Sequence, residues 1–182
     1  TASEQAGEDF NYNSADPEGV TALHVAAMHH QGDVARILLE NGADPNLADR
    51  TGHTALHHTC QTFDENRVDR DVLRRKTEAD REKCAEVLLS FNADADQLDG
   101  ERRPPLAYAC RNGIEGMIRG LLLNGASTDV EGEDETKSVL DEIADADLRG
   151  RAQEHASTYA TEKAAAEAET AQADGGAQAM AT

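Results

Sequence analysis

The sequence predicts an all-α solenoid of short helix–turn–helix repeats joined by β-hairpin-like turns. Three observations carry that prediction. First, the chain restates itself: Thr21, Ala22, Leu23 and His24 return as Thr54, Ala55, Leu56 and His57, 33 residues on. Second, a helix-ending phrase recurs with it. Leu38, Leu39, Ala43 and Asp44 return as Leu88, Leu89, Ala93 and Asp94, and Leu121, Leu122, Gly125 and Ala126 give it again. A fixed period of this length marks stacked supersecondary units. Third, aromatic residues are 3% of the chain and Trp is absent, which suits small helices packed through Ala and Leu.

The period also locates an insertion. Thr54 to Pro104 and Ala43 to Ala93 are 50 residues rather than 33, so one repeat carries 17 extra. Ser138, 34 residues beyond Pro104, places a fourth, weaker copy.

Residues 1–15 read as an N-terminal cap or the remnant of an earlier repeat. SEQAGEDFN at 3–11 echoes LENGADPN at 39–46, with Gly7, Asp9 and Asn11 matching Gly42, Asp44 and Asn46. In that case Phe10 covers the apolar side of the first full repeat. Repeat one spans 16–48. Asp16, Pro17, Glu18 and Gly19 are turn residues. Thr21 caps a first helix carrying Leu23, Val25 and Ala26. The second helix is expected over Val34 to Glu40, with Val34, Ile37 and Leu38 at i, i+3, i+4 on one face. Gly42 stops it in the left-handed conformation.

Repeat two spans 49–98. Ala27 to Val34 is a step of 7 residues, but Cys60 to Cys84 is 24, so the insertion, near 62–78, falls between the two helices. Stretch 61–83 holds seven acids and seven bases, seven of the 17 bases in the chain. Arg67 with Asp71, and Asp71 with Arg75, have the i, i+4 spacing of a solvated helix. Thr77 with Asp80 resembles a capping box that starts the second helix early. Such an insertion is either an interaction feature or a tolerated loop expansion.

Repeat three spans 99–132. Arg102 stands where the turn Gly is expected, and Pro104-Pro105 opens the helix, where a missing N–H is harmless. Gly120 replaces Ile37 and should loosen the packing. A degenerate fourth repeat, 133–146, keeps Leu140, Ile143 and Ala144. Residues 147–173 read as an Ala/Glu-rich helical extension, with Leu148, Ala152 and Tyr159 along one stripe, and 174–182 as a disordered tail.

The motif TALHVA at 21–26, with TALHHT at 54–59, PPLAYA at 104–109 and SVLDEI at 138–143, resembles the ankyrin repeat signature. The resemblance covers roughly residues 7 to 146; the third copy loses the His to Ala107 and the fourth to Asp141. It implies that His24 and His57 are structural groups linking neighbouring repeat turns. It also implies partner contacts on the turn tips and the groove-facing ends of the first helices. By position these are Pro17, Glu18, Val20, Met28 and His29 in repeat one. In repeat two they are Arg50, Thr51, His53, Gln61 and Thr62, and in repeat three Gly100, Glu101, Arg103, Arg111 and Asn112. Arg50, Arg103 and Arg111 make this strip less acidic than the rest, which suits an acidic segment of a partner.

Composition narrows the function. A net charge of −19 argues against direct nucleic-acid binding, which needs clustered Lys and Arg. No run of about 18 apolar residues is present, so no membrane-spanning helix is expected, and neither is a basic-then-apolar leader. The three Cys are an odd number without C-x-x-C spacing. They read as small core residues, and a reducing, intracellular compartment is expected, cytoplasm and nucleus not being distinguished. His29-His30 and His57-His58 are adjacent pairs, whereas helical metal ligands need i, i+4, so no metal and no cofactor are expected. Catalytic fingerprints such as G-x-S-x-G are absent. The expected function is non-catalytic protein recognition through a concave groove, by a chain monomeric on its own. Two alternatives stay open: an accessory subunit docking through its insertion or C-terminal helix, and the targeting arm of a larger protein.

Overall fold

A computed structural model of the chain describes residues 11–61, 78–128 and 138–161. The helices, in order, are α1 Ala22–Met28, α2 Gly32–Glu40, α3 Ala55–Cys60, α4 Glu78–Ser90, α5 Pro105–Arg111 and α6 Glu115–Leu123. A 3-10 turn follows at Val139–Glu142, then a helix, α7, over 146–161. No strand occurs among the described residues; isolated bridges Ala15–Thr21 and Ala48–Thr54 close the turns. The first helices form one row, α1 on α3 on α5 on the 3-10 turn, and α2, α4 and α6 form a second.

Short helices of six to nine residues are marginal alone, so capping and stacking must hold them. Thr21 caps α1 and Thr54 caps α3, each in a box closed by the His three residues on. The turns stack through backbone bonds: Arg50 N–H donates to the Glu18 carbonyl and Gly100 N–H to the Thr51 carbonyl, both at 2.9 Å. Gly19 and Gly52 hold φ of +84° and +85°, and Arg102 takes φ +60° at the third equivalent position, an uncommon conformation for a side-chain-bearing residue. A Cβ on Gly52 would run into the Gly100 backbone.

The opposite ends of the repeats are tied by a second ladder. Asn13, Asn46 and Asp96 each accept, through Oδ1, the backbone N–H of the next repeat's Asp44, Asp94 and Ser127 (2.8, 2.7 and 2.7 Å). This corrects the register of the N-terminal echo. Asn13, not Asn11, is the counterpart of Asn46; Asn11 forms the turn that Asp44 forms in the following unit, each accepting from the backbone N two residues on. The spacing is therefore 33 residues rather than 35. The expected role of Phe10, the insertion with its Thr77 cap, and the tail fall outside the described residues.

The face of α2 also needs correction. The helix begins at Gly32, and its buried residues are Gly32, Ala35 and Leu39. Val34 and Ile37 are exposed and Leu38 is half-buried. The reason is α4: a Cβ on Gly32 would sit 3.4 Å from the Cys84 backbone, so the small side of α2, not its branched side, meets the next repeat. Val25 in α1 is exposed too.

The core is one cluster through all repeats. Ala27, Cys60 and Cys110 occupy its same level and are fully buried, and burial pushes the Cys60 thiol up to about 12. Beside Gly120 is open space, part of a hollow of about 110 Å³ between α4 and α6. Val139, Leu140 and Ile143 close the first row and Ala144 is exposed. Leu148 and Ala152 of α7 are buried against the second row, with Arg151 paired to Glu115.

Candidate functional site

The turns of repeats two and three, with the starts of α3 and α5, assemble a polar cluster. His24 and His57 do the same task one repeat apart. The Thr21 and Thr54 backbone N–H groups donate to Nδ1 of His24 (3.0 Å) and of His57 (3.1 Å). Nδ1 is therefore the acceptor and Nε2 carries the proton. Nε2 then donates across the repeat boundary, from His24 to the His53 carbonyl at 3.2 Å and from His57 to the Arg103 carbonyl at 3.1 Å. Burial lowers the pKa of both, that of His57 to about 4, so both are neutral.

A second device, in repeats two and three, pairs the turn Asp with the residue nine positions on. Asp49 Oδ2 accepts from His58 Nε2 at 3.0 Å, and Asp99 Oδ2 accepts from the Tyr108 hydroxyl at 2.5 Å. The Oδ1 atoms are held by backbone N–H: those of Thr51 and His53 for Asp49, and those of Glu101 and Arg103 for Asp99. Burial raises the Asp49 pKa but is outweighed by bonds from Thr51 and His58, leaving it at about 2. The same balance keeps Asp99 low. Burial lowers His58, against the pull of Asp49, so that contact is a hydrogen bond donated by a neutral ring. Burial and Asp99 raise Tyr108 to about 12.

His53 joins the two pairs. Its Nε2 lies 3.1 Å from Tyr108 Oη and 3.3 Å from Asp99 Oδ2, and its ring meets that of His58 edge-on at 5.4 Å. The Gln61 amide nitrogen lies 3.3 Å from Nε2, and Asn112 donates to the Cys60 carbonyl at 2.9 Å. Arg103 pairs with Glu101 and stacks over Tyr108 with its guanidinium carbon 5.3 Å from the ring centre.

The residues expected to meet a partner divide in two. Pro17, Glu18, His29, Arg50, Thr51, Gly100, Glu101 and Arg111 are exposed. Val20, Met28, His53, Gln61, Arg103 and Asn112 are half-buried; Thr62 falls outside the described residues. The tertiary fold joins His53, Gln61 and Arg103 into the polar cluster. Reading the sequence misses Asp49, His58, Asp99 and Tyr108 as its other members, although Asp at i with His or Tyr at i+9 recurs in both repeats. It also passes over Arg102, an exposed cation at the tip of turn three.

Comparison with known proteins agrees with the geometry. A family model for ankyrin repeats (many copies) matches residues 5–58. The chain is 35% identical over 133 residues to neurogenic locus notch homolog protein 1 of Xenopus laevis, covering 71% of this chain and 4% of that protein. It is 32% identical over 130 residues to the human protein of the same name, again 71% and 4%. Mouse ankyrin repeat and SOCS box protein 16 is 35% identical over 111 residues, 61% of this chain and 22% of that protein. The chain thus spans a small part of these relatives. Matched repeat motifs, stacked helix pairs and turn-linking histidines together place the chain in the ankyrin-repeat family.

Proposed function

We propose that the chain is a non-catalytic recognition module that binds an acidic segment of another protein across the turn tips and the ends of α1, α3 and α5. Ankyrin repeats are in general protein-interaction modules, and the reading extends that to this groove. The observation that carries it is a row of exposed cations on a chain of net charge −19: Arg50 stands out from repeat two, and Arg102 and Arg111 from repeat three. Fixed turns hold them in register, so a partner meets a preorganised surface. Arg103 contributes less, since Glu101 already pairs with it. An intracellular partner and compartment are part of the proposal, supported by three buried thiols. Among the described residues no helix is long and apolar enough to cross a membrane.

Affinity capture from lysate followed by quantitative mass spectrometry tests this, comparing the parent with Arg50→Glu/Arg102→Glu. The groove reading expects the double reversal to deplete the captured partner, with a weaker parent interaction at high salt. Loss of capture on deleting 62–78, with the double reversal harmless, overturns it in favour of docking through the insertion.

A further inference from the structure

Asp49, His53 and His58 each present one ligand-type atom, and these atoms lie within 4.8 Å of one another. Their side chains are 8%, 18% and 7% exposed, so the group is sheltered and open on the His53 side. The Thr51 hydroxyl has one proton, committed to Asp49 Oδ1 at 2.5 Å. At 2.8 Å from His53 Nδ1, Thr51 Oγ1 must therefore accept, so Nδ1 carries a proton. The Tyr108 proton is likewise committed to Asp99. His53 Nε2 is thus left facing two oxygens, Tyr108 Oη and Asp99 Oδ2, that have no proton to give it. The Gln61 amide straddles both ring nitrogens at 3.5 and 3.3 Å. The Gln61 amide is the N–H donor within reach of a lone pair at Nε2, 3.3 Å away, whereas the two oxygens would oppose that lone pair. The position favours an electrophile, which is a proton or a metal ion.

We propose that this junction of repeats two and three binds a zinc-class divalent cation through Asp49 Oδ2, His53 Nε2 and His58 Nε2, with Asp99 facing it. Two imidazoles and a carboxylate suit such an ion better than Mg²⁺ or Ca²⁺, which take oxygen ligands. The atoms behind the ligands are already fixed: backbone N–H groups hold Asp49 Oδ1, and Thr51 holds His53 Nδ1, the outer support that orients metal ligands. Asp49 and Asp99 together balance the two positive charges. Bond lengths of about 2.0 Å to Zn²⁺ imply ligand atoms about 3.3 Å apart, so binding draws in His53, the most exposed of the three. His58, whose Nε2–H now donates to Asp49, then carries its proton on Nδ1, and any proton on His53 Nε2 passes to solvent. Affinity therefore falls in acid.

The test titrates the whole chain with Co²⁺, followed by visible absorption, and with Zn²⁺ by calorimetry. One equivalent is expected, with Zn²⁺ displacing Co²⁺. His58→Tyr reproduces in repeat two the Asp99–Tyr108 pair of repeat three, so it removes a ligand in a setting the fold already accepts. It and His53→Ala should each weaken binding about tenfold or more, while His155→Ala in α7 leaves it unchanged. Circular dichroism melts establish that each variant is folded; if either is not, Asp49→Asn, which keeps the Oδ1 bonds, takes its place with the same expectation. Absence of saturable binding by the folded parent, or parent affinity in the folded ligand variants, overturns the proposal.

Discussion

In repeat two, His58, Cys84 and Val87 are 5%, 0% and 2% exposed; their counterparts in repeat one, Val25, Val34 and Ile37, stand at 45%, 43% and 57%. Interactions made toward the following repeat do not differ in this way. His24 bonds to the His53 carbonyl as His57 does to that of Arg103, and the Asn46 ladder continues that of Asn13. What separates the two repeats is the side turned toward a preceding unit. An apolar residue there becomes core only when a neighbour stacks on it. Stability in such an array is a sum of repeat and interface contributions, so equivalent residues need not matter equally.

Four measurements test that contrast, the largest effect first. Leu88→Ala, at a position with 0% exposure, should destabilise by about 2–5 kcal/mol in urea unfolding, and Leu38→Ala, its half-buried counterpart, by clearly less. Equal losses would mean the repeats are stacked alike. Acid should act next. His57 is held from its ordinary 6.5 to about 4, so below pH 6.5 the unfolded chain takes a proton that the folded chain refuses. The stability is whole above that pH and drains as pH falls toward 4, by on the order of 3 kcal/mol. His24 and His58 shift in the same direction. Asp49 adds a further loss only as pH drops from 3.8 to about 2. Urea midpoints that stay level from pH 7 to pH 4 would contradict the buried neutral histidines.

Tyr108→Phe should cost about 1 kcal/mol, because Asp99 loses its hydroxyl donor. Val25→Ala at the matching place in repeat one, where no such pair exists, should be nearly silent. Smallest of all, Ile37→Ala should stay within about 0.5 kcal/mol, as exposed positions do, whereas Val87→Ala at the buried equivalent should exceed it. A large loss at Ile37 would show that its side chain is covered in solution.

Much of the fold is legible along the chain because its devices are short. Thr21 and Thr54 announce helix starts, Gly42 and Gly125 their ends with φ of +92° and +89°, and the 33-residue spacing shows the units. The face of α2 is not legible. Periodicity offers both Val34/Ile37/Leu38 and Ala35/Leu39 as stripes, and hydrophobicity favours the wrong one; close approach of Cys84 to Gly32 decides for the small one. The polar cluster is hidden for a different reason. Asp49, His53 and His58 run from a turn into a helix, so no single helical period displays them, and Asp99 and Tyr108 join from 50 residues further along each counterpart.

From the amino-acid order alone come the repeat, its capped helices, its left-handed turn residues and the small side chains that permit stacking, because each rests on dihedral preference and hydrogen bonds within a few positions. Burial of Val87 but not Ile37, the bonds of His24 and His57 to the next turn, and the meeting of His53 with Asp99 and Tyr108 belong to the tertiary structure. Those depend on which surfaces touch once the units stack, and contact between units far apart along the chain is settled by packing rather than by local preference.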